Sequence, residues 1–196
     1  MGTTKVLSFD VGIKNLSFTH FETHAQQGTR ILDWQNISVT EENCKKIKLD
    51  TLTECMLNTL IQIFDETFET DIVLIENQPM LKNGNMKTMA VVIYTYFNVQ
   101  RLQYGHIREV KFISASNKLK CLKSQELEST LKEQYKDRKK LGVEIAKLYL
   151  PIICPERLDW FTSQKKKDDV CDSFCQGIYF MEHVLKHPMR GVSLAL

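Results

Sequence analysis

Ser8-Phe-Asp-Val-Gly-Ile-Lys-Asn15 closes an apolar run (Val6, Leu7, Phe9) with a single carboxylate, Asp10, followed two positions later by Gly12. A carboxylate at the end of a buried strand costs free energy unless something positive compensates it. Asp10 and Gly12 share parity and so one sheet face, and Gly12 leaves room for a bulky charged partner. A turn-capping aspartate is the commoner use of such a residue. Leu16, Phe18 and His20 then alternate with Ser17, Thr19 and Phe21, which predicts a returning strand. A strand–Asp-x-Gly–strand hairpin also resembles the phosphate loop of actin-like ATPases. Those need a second such loop, whereas Asp-x-Gly occurs once in these 196 residues.

Outward from this turn, three strands come first: Lys5–Val11, Leu16–His24 and Arg30–Val39. Short connections favour antiparallel hairpins between them. From about residue 48 to 68 the period changes. Leu52, Cys55, Met56, Leu60, Ile63 and Phe64 recur at three and four, the pattern of an amphipathic helix packed on a sheet. Ile72 to Ile75 is a continuous apolar run suited to a strand covered on both faces, and Pro79 stops its ladder. Glu76 therefore ends a central strand, as Asp10 does. Gly84 and Asn85 open a helix to about Tyr104. Its apolar surface exceeds one interface, so part of it is expected to meet a second subunit. Val110–Ser114 is a fifth strand.

Beyond Asn117 the composition turns basic, with nine Lys or Arg against five acids over residues 117–147, including Lys118, Lys120, Lys123 and Lys136-Asp-Arg-Lys-Lys140. Such runs are often only solvated helix faces. Leu141, Ile145, Leu148 and Tyr149 place the next helix, which Pro151 is expected to end. A last helix runs from Lys165 to about Leu185. On it Asp168 and Asp169 both share a face with Asp172, and Val170, Phe174, Ile178 and Met181 form the packed side. Asp168 and Asp169 suit a helix N-terminus, but Asp172 among apolar neighbours needs another reason. Gly177 allows this helix to lie close to the sheet.

Length and composition bound the rest. One domain over residues 1–196 is expected, with 43% hydrophobic and 26% charged residues and a net charge of +2, too small to imply nucleic acid by itself. Six cysteines without a Cys-x-x-Cys pair argue against structural zinc and for a reducing compartment. No run reaches transmembrane length, and a strand beginning within a few residues of Met1 is expected to leave no room for a signal or transit peptide.

The order of elements, with Phe9-Asp-Val-Gly-Ile-Lys-Asn15, Leu74-Ile-Glu-Asn-Gln-Pro79, Tyr135-Lys-Asp-Arg-Lys-Lys140 and Lys167-Asp-Asp-Val-Cys-Asp-Ser-Phe174, resembles the RuvC-type Holliday junction resolvases, specifically their poxvirus and mitochondrial branch. The resemblance spans the chain. It implies an α/β ribonuclease H-like fold: a five-stranded mixed sheet, three antiparallel strands first, flanked by helices. It implies that Asp10, Glu76, Asp169 and Asp172 bind divalent metal, with Asp168 an alternative to Asp169. Oxygen-only ligands favour Mg²⁺, with Mn²⁺ as substitute. Two ions roughly 4 Å apart would activate water and steady the leaving 3′ oxygen. The family also places a lysine near the scissile phosphate; Lys140 is the first choice and Lys139 the second. Lys118, Lys120, Lys123, Arg138 and Lys139 are expected on the DNA backbone. The implied activity is resolution of four-way junctions by a homodimer leaving 5′-phosphates, in a large DNA virus acting inside its host cell. Alternatives are a ribonuclease H-like nuclease acting on hybrids or flaps, a non-catalytic junction binder, or an actin-like ATPase fragment.

Overall fold

A computed structural model describes residues 2–42, 46–78, 84–120, 138–187 and 189. Strands β1 (Thr4–Asp10), β2 (Leu16–His24), β3 (Gly28–Ile37), β4 (Ile72–Glu76) and β5 (Glu109–Ile113) form one sheet in the order β3-β2-β1-β4-β5. β1–β2 and β2–β3 are antiparallel, whereas β1–β4 and β4–β5 are parallel. The expected mixed ribonuclease H-like sheet, three antiparallel strands first, is the one observed.

Helices cover both faces. α1 (Leu49–Ile63) and α2 (Gly84–Tyr104) pack on the side of Leu7, Phe9, Val73 and Ile75. α3 (Arg138–Ile153) and α5 (Lys167–Tyr179) pack on the side of Val6, Phe21 and Leu74, with the short α4 (Leu158–Ser163) between them in sequence. The alternation along β1 and β4 thus divides the core into two layers. Phe64 is the hub of the first layer, with ring centroids 5.4 Å from Phe9, 4.9 Å from Phe18 and 5.5 Å from Phe97. Truncating it to Ala would cost about 3–5 kcal/mol.

Several expectations need correction. The first long helix stops at Ile63 rather than near Phe68, because Asp65 turns the chain by accepting bonds from the Thr67 N–H and hydroxyl. Pro151 lies inside α3. Near a helix C-terminus its missing N–H removes one bond, and the chain continues until Cys154 N–H closes on Leu150 O at 2.9 Å. The last helix begins at Lys167, not Lys165, since Gln164 is extended; beyond Tyr179 it widens into a π turn, Phe180–Val184. Gly12 serves the tight β1–β2 turn: a Cβ there would stand 2.2 Å from Asn15 O, so the space belongs to the backbone and not to a charged partner. Gly177 does what was expected of it, since a Cβ would come within 2.3 Å of the Phe21 ring. Cys171 and Cys175 are buried thiols not joined in a disulfide, while Cys44 and Cys121 lie outside the described residues.

Candidate active site

Phe9 pairs with Ile75 across the parallel β1–β4 ladder, so Asp10 and Glu76 follow one another at the carboxyl ends of neighbouring central strands. Both face the α5 side, because Phe9 and Ile75 face the other layer. Glu76 is buried and accepts a bond from Gln78 Nε2 at 2.8 Å. The third acid, Asp172, comes from the first half of α5.

A cation already stands among them. A short 3₁₀ helix, Ala115–Lys120, follows β5 and carries Lys118 inward until only 5% of it is exposed. Its ammonium is 2.8 Å from Asp10 Oδ1, 2.8 Å from Asp172 Oδ2 and 3.1 Å from Glu76 Oε1. Burial alone would favour the neutral amine, but Asp10, Asp172 and Glu76 hold the ammonium well above the ordinary lysine value. Burial pushes the Asp10 carboxyl up to about 7, opposed by Lys118 and reinforced by the hydrogen bond and charge of Glu76. Asp172 is also raised, first by burial and then by Asp10, with Lys118 opposing. Three carboxylates thus share one ammonium.

The two neighbouring acids differ in their partners. Asp168 pairs with the Lys139 ammonium, whose hydrogen bond draws its carboxyl below the usual range. Asp169 is raised by burial and by the charges of Asp168 and Asp10. Asp169 thus feels Asp10, while Asp168, though paired with Lys139, adds its charge to Asp172.

Among the described residues, no three acids, cysteines or histidines enclose a common point as a metal cage. The donor set nevertheless fits a hard divalent cation: it contains only carboxylate oxygens, and it already draws a buried positive charge to its centre. The Lys118 ammonium stands in for that charge.

Lysines line the flank. Lys139, Lys140, Lys165 and Lys167, with Val143, Glu144 and Asp168, surround a cavity of about 350 Å³. Lys139 and Lys140 are exposed in the first turn of α3, and Lys120 is exposed at the end of the 3₁₀ helix. Arg138 starts α3, but its side chain, like all of Lys123, lies outside the described residues. Lys118 was placed with the backbone-binding lysines by sequence; the structure puts it in the acidic centre. Lys165 and Lys167 went unassigned. A topological signal for Lys118 existed, because it follows the carboxyl end of β5, and ligand crevices in such sheets form beyond those ends.

Comparison with known proteins follows the same lines. The profile of the Poxvirus A22 protein family matches residues 4–186. An uncharacterized protein of Acanthamoeba polyphaga mimivirus is 36% identical over 122 residues, 58% of this chain but only 29% of that protein. The chain therefore spans less than a third of that relative's length. Among solved structures, the Fowlpox virus resolvase in complex with its substrate Holliday junction DNA superposes with a TM-score of 0.62 at 18% identity, covering 93% of this chain and 99% of that one. The yeast mitochondrial Holliday junction resolvase Ydc2 gives 0.57 at 20% identity, covering 91% and 79%. At these identities the likeness is one of fold.

Proposed function

The chain belongs to the Poxvirus A22 protein family, and from that premise we propose that it is a structure-specific DNA endonuclease that resolves four-way junctions by metal-dependent phosphodiester hydrolysis. The observation that carries the reading is the convergence of Asp10, Glu76 and Asp172 on one cation, Lys118 Nζ. Buried carboxylates gathered at strand ends repel one another, and a site of this kind is useful where positive charge is to be held. The fold neighbours described as Holliday junction resolvases supply the substrate class.

Asp10, Glu76, Asp172 and Asp169 would hold the metal, which we assign as Mg²⁺, with Mn²⁺ as substitute and two ions per site. Metal held by these carboxylates would supply an activated water and neutralise charge on the leaving 3′ oxygen. Attack at phosphorus breaks the bond to the 3′ oxygen and leaves a 5′-phosphate. Asp10 and Glu76, fixed on adjacent strands, orient the charge. Lys140 is assigned to the scissile phosphate, where its ammonium meets the negative charge that builds as the bond breaks. Lys120, Lys123, Arg138 and Lys139 are assigned to the DNA backbone.

Symmetric resolution needs two sites at a fixed separation, and so a homodimer. α2 exposes Val91, Val99 and Leu102 on one side, and we assign the two-fold contact to that face. Residues 1–196 would act as one nuclease unit in the infected cell. Among the described residues no helix is long and apolar enough to cross a membrane.

The test is incubation with labelled four-way junction, plain duplex, flap and RNA–DNA hybrid, with and without Mg²⁺. Paired nicks in the junction alone, only with metal, are expected. Preferential cutting of the hybrid or flap, or cutting undiminished by chelator, would overturn the assignment.

A further inference from the structure

α5 is fastened to three consecutive strands by polar groups at every third residue. Val170 O accepts a bond from Trp34 Nε1 on β3 at 3.1 Å. Ser173 Oγ lies 2.8 Å from Ser17 Oγ and 2.9 Å from Thr19 Oγ1 on β2. Gln176 Nε2 donates to Ser8 Oγ and Phe9 O on β1, each at 3.1 Å. The rungs run along the helix in the spatial order of the strands, β3, β2, β1. Ser8, Ser17, Thr19, Ser173 and Gln176 are all wholly buried.

Apolar packing is non-directional and would tolerate a small slide of helix over sheet. Buried hydrogen bonds do not, because each displaced donor or acceptor loses its partner in a place water cannot reach. One residue of slippage moves a helix by about 1.5 Å and turns it by about 100°, which would orphan every rung together. Gly177 closes the helix onto Phe21 just beyond the last rung.

The middle rung joins the neighbours of two acids. Ser17 is the cross-strand partner of Asp10, and Ser173 directly follows Asp172. We infer that Ser173 and Gln176 are positioning residues that set where Asp172 stands relative to Asp10, and so how tightly the acids take a divalent cation. The inference rests on the metal reading above. These residues touch neither metal nor DNA; they act through the placement of α5.

The measurement is Mn²⁺ affinity by calorimetry on the whole chain, beside the metal-free melting temperature, for Ser173→Ala, Ser17→Ala, Gln176→Leu and Leu60→Ala. Leu60 is buried in the opposite layer and serves as the control for simple loss of stability. The rung variants are expected to bind Mn²⁺ roughly tenfold more weakly, as for other residues that hold metal ligands in place, with cutting recovered at higher Mn²⁺. Ser173→Thr, which keeps the hydroxyl, is expected to bind closer to wild type. Leu60→Ala is expected to melt lower with unchanged Mn²⁺ affinity. If the rung variants only melt lower and bind Mn²⁺ as wild type does, the inference is overturned and the metal reading stands. If the wild-type protein takes up no Mn²⁺, the metal reading itself falls and this inference with it.

Discussion

Lys118 Nζ lies 2.8 Å from Asp10 Oδ1, joining a 3₁₀ helix behind the edge strand β5 to the end of the central strand β1. Lys118 is buried and Asp10 largely so, and Glu76 and Asp172 share the same ammonium. A charge network of this kind leaves uncompensated carboxylates when its cation is removed. On the metal reading proposed above, a divalent ion and Lys118 would compete for the same oxygens.

Lys118→Met is therefore expected to destabilise the metal-free protein by about 3 kcal/mol while tightening Mg²⁺ or Mn²⁺ binding. Thermal melts with and without metal, together with calorimetric titration, give both quantities. Were Lys118 instead an ordinary backbone-binding lysine, the variant would keep its metal-free stability and the slope of log affinity against log salt would fall by about one.

Asp10→Asn and Glu76→Gln are each expected to abolish cutting while junction binding survives, since the acids are assigned to metal and the lysines to phosphate. Gel shift and cleavage on the same preparations check this; cutting near the wild-type rate by either variant would remove that acid from the site. Stability carries a second signature. The Asp10 carboxyl rises from 3.8 to about 7 on folding, so between those values the folded state binds the extra proton. Metal-free stability should then fall as pH rises through that window. Asp10→Asn lacks this contribution, so its melting temperature should gain on wild type with rising pH and level off above about pH 7.

The lysines of the basic flank should divide by what they change. Lys140→Ala is expected to slow single-turnover cutting roughly a hundredfold with affinity near normal, because charge develops on the phosphate only as the bond breaks. Lys139 is tied to Asp168, so Lys139→Ala should weaken DNA binding more than it slows the chemical step. Affinity loss at unchanged rate for Lys140→Ala would return that residue to the backbone-binding set.

Light scattering is expected to give twice the chain mass of 22.8 kDa. Val99→Glu with Leu102→Glu, two exposed positions on α2, should yield a monomer that folds but does not make paired nicks. A wild-type monomer at micromolar concentration that still resolves junctions symmetrically would place the contact, or the mechanism, elsewhere.

Much of this was legible in the sequence because period and punctuation agreed with the fold. The apolar run Ile72–Ile75 closed by Glu76 could only be a covered strand, and it is the strand between β1 and β5. Gly84 to Tyr104 has the bounds its pattern implied. Asp10 and Glu76 stood out as carboxylates where neighbours are apolar. Lys118 did not, because one lysine in a basic stretch looks solvated until the strand before it is known to end beside two acids. Ser173, Ser17 and Gln176 were invisible for a related reason: their partners are more than 150 residues away in the chain. Pro151 misled because its usual effect is weakest in a helix's last turns, where the lost bond is one of few remaining.

The two sides of the acidic cluster also differ in how they open. Asp10 and Glu76 end strands whose ladders lie in the middle of the sheet, and amides in such ladders exchange with solvent mainly through global unfolding. Lys118 is carried by a 3₁₀ segment that follows the edge strand and lies outside those ladders, so its withdrawal would not require them to open. On the proposed metal reading, Asp10 and Glu76 would stay put while the ammonium is withdrawn, and one cation would replace another without opening the ladders that hold them.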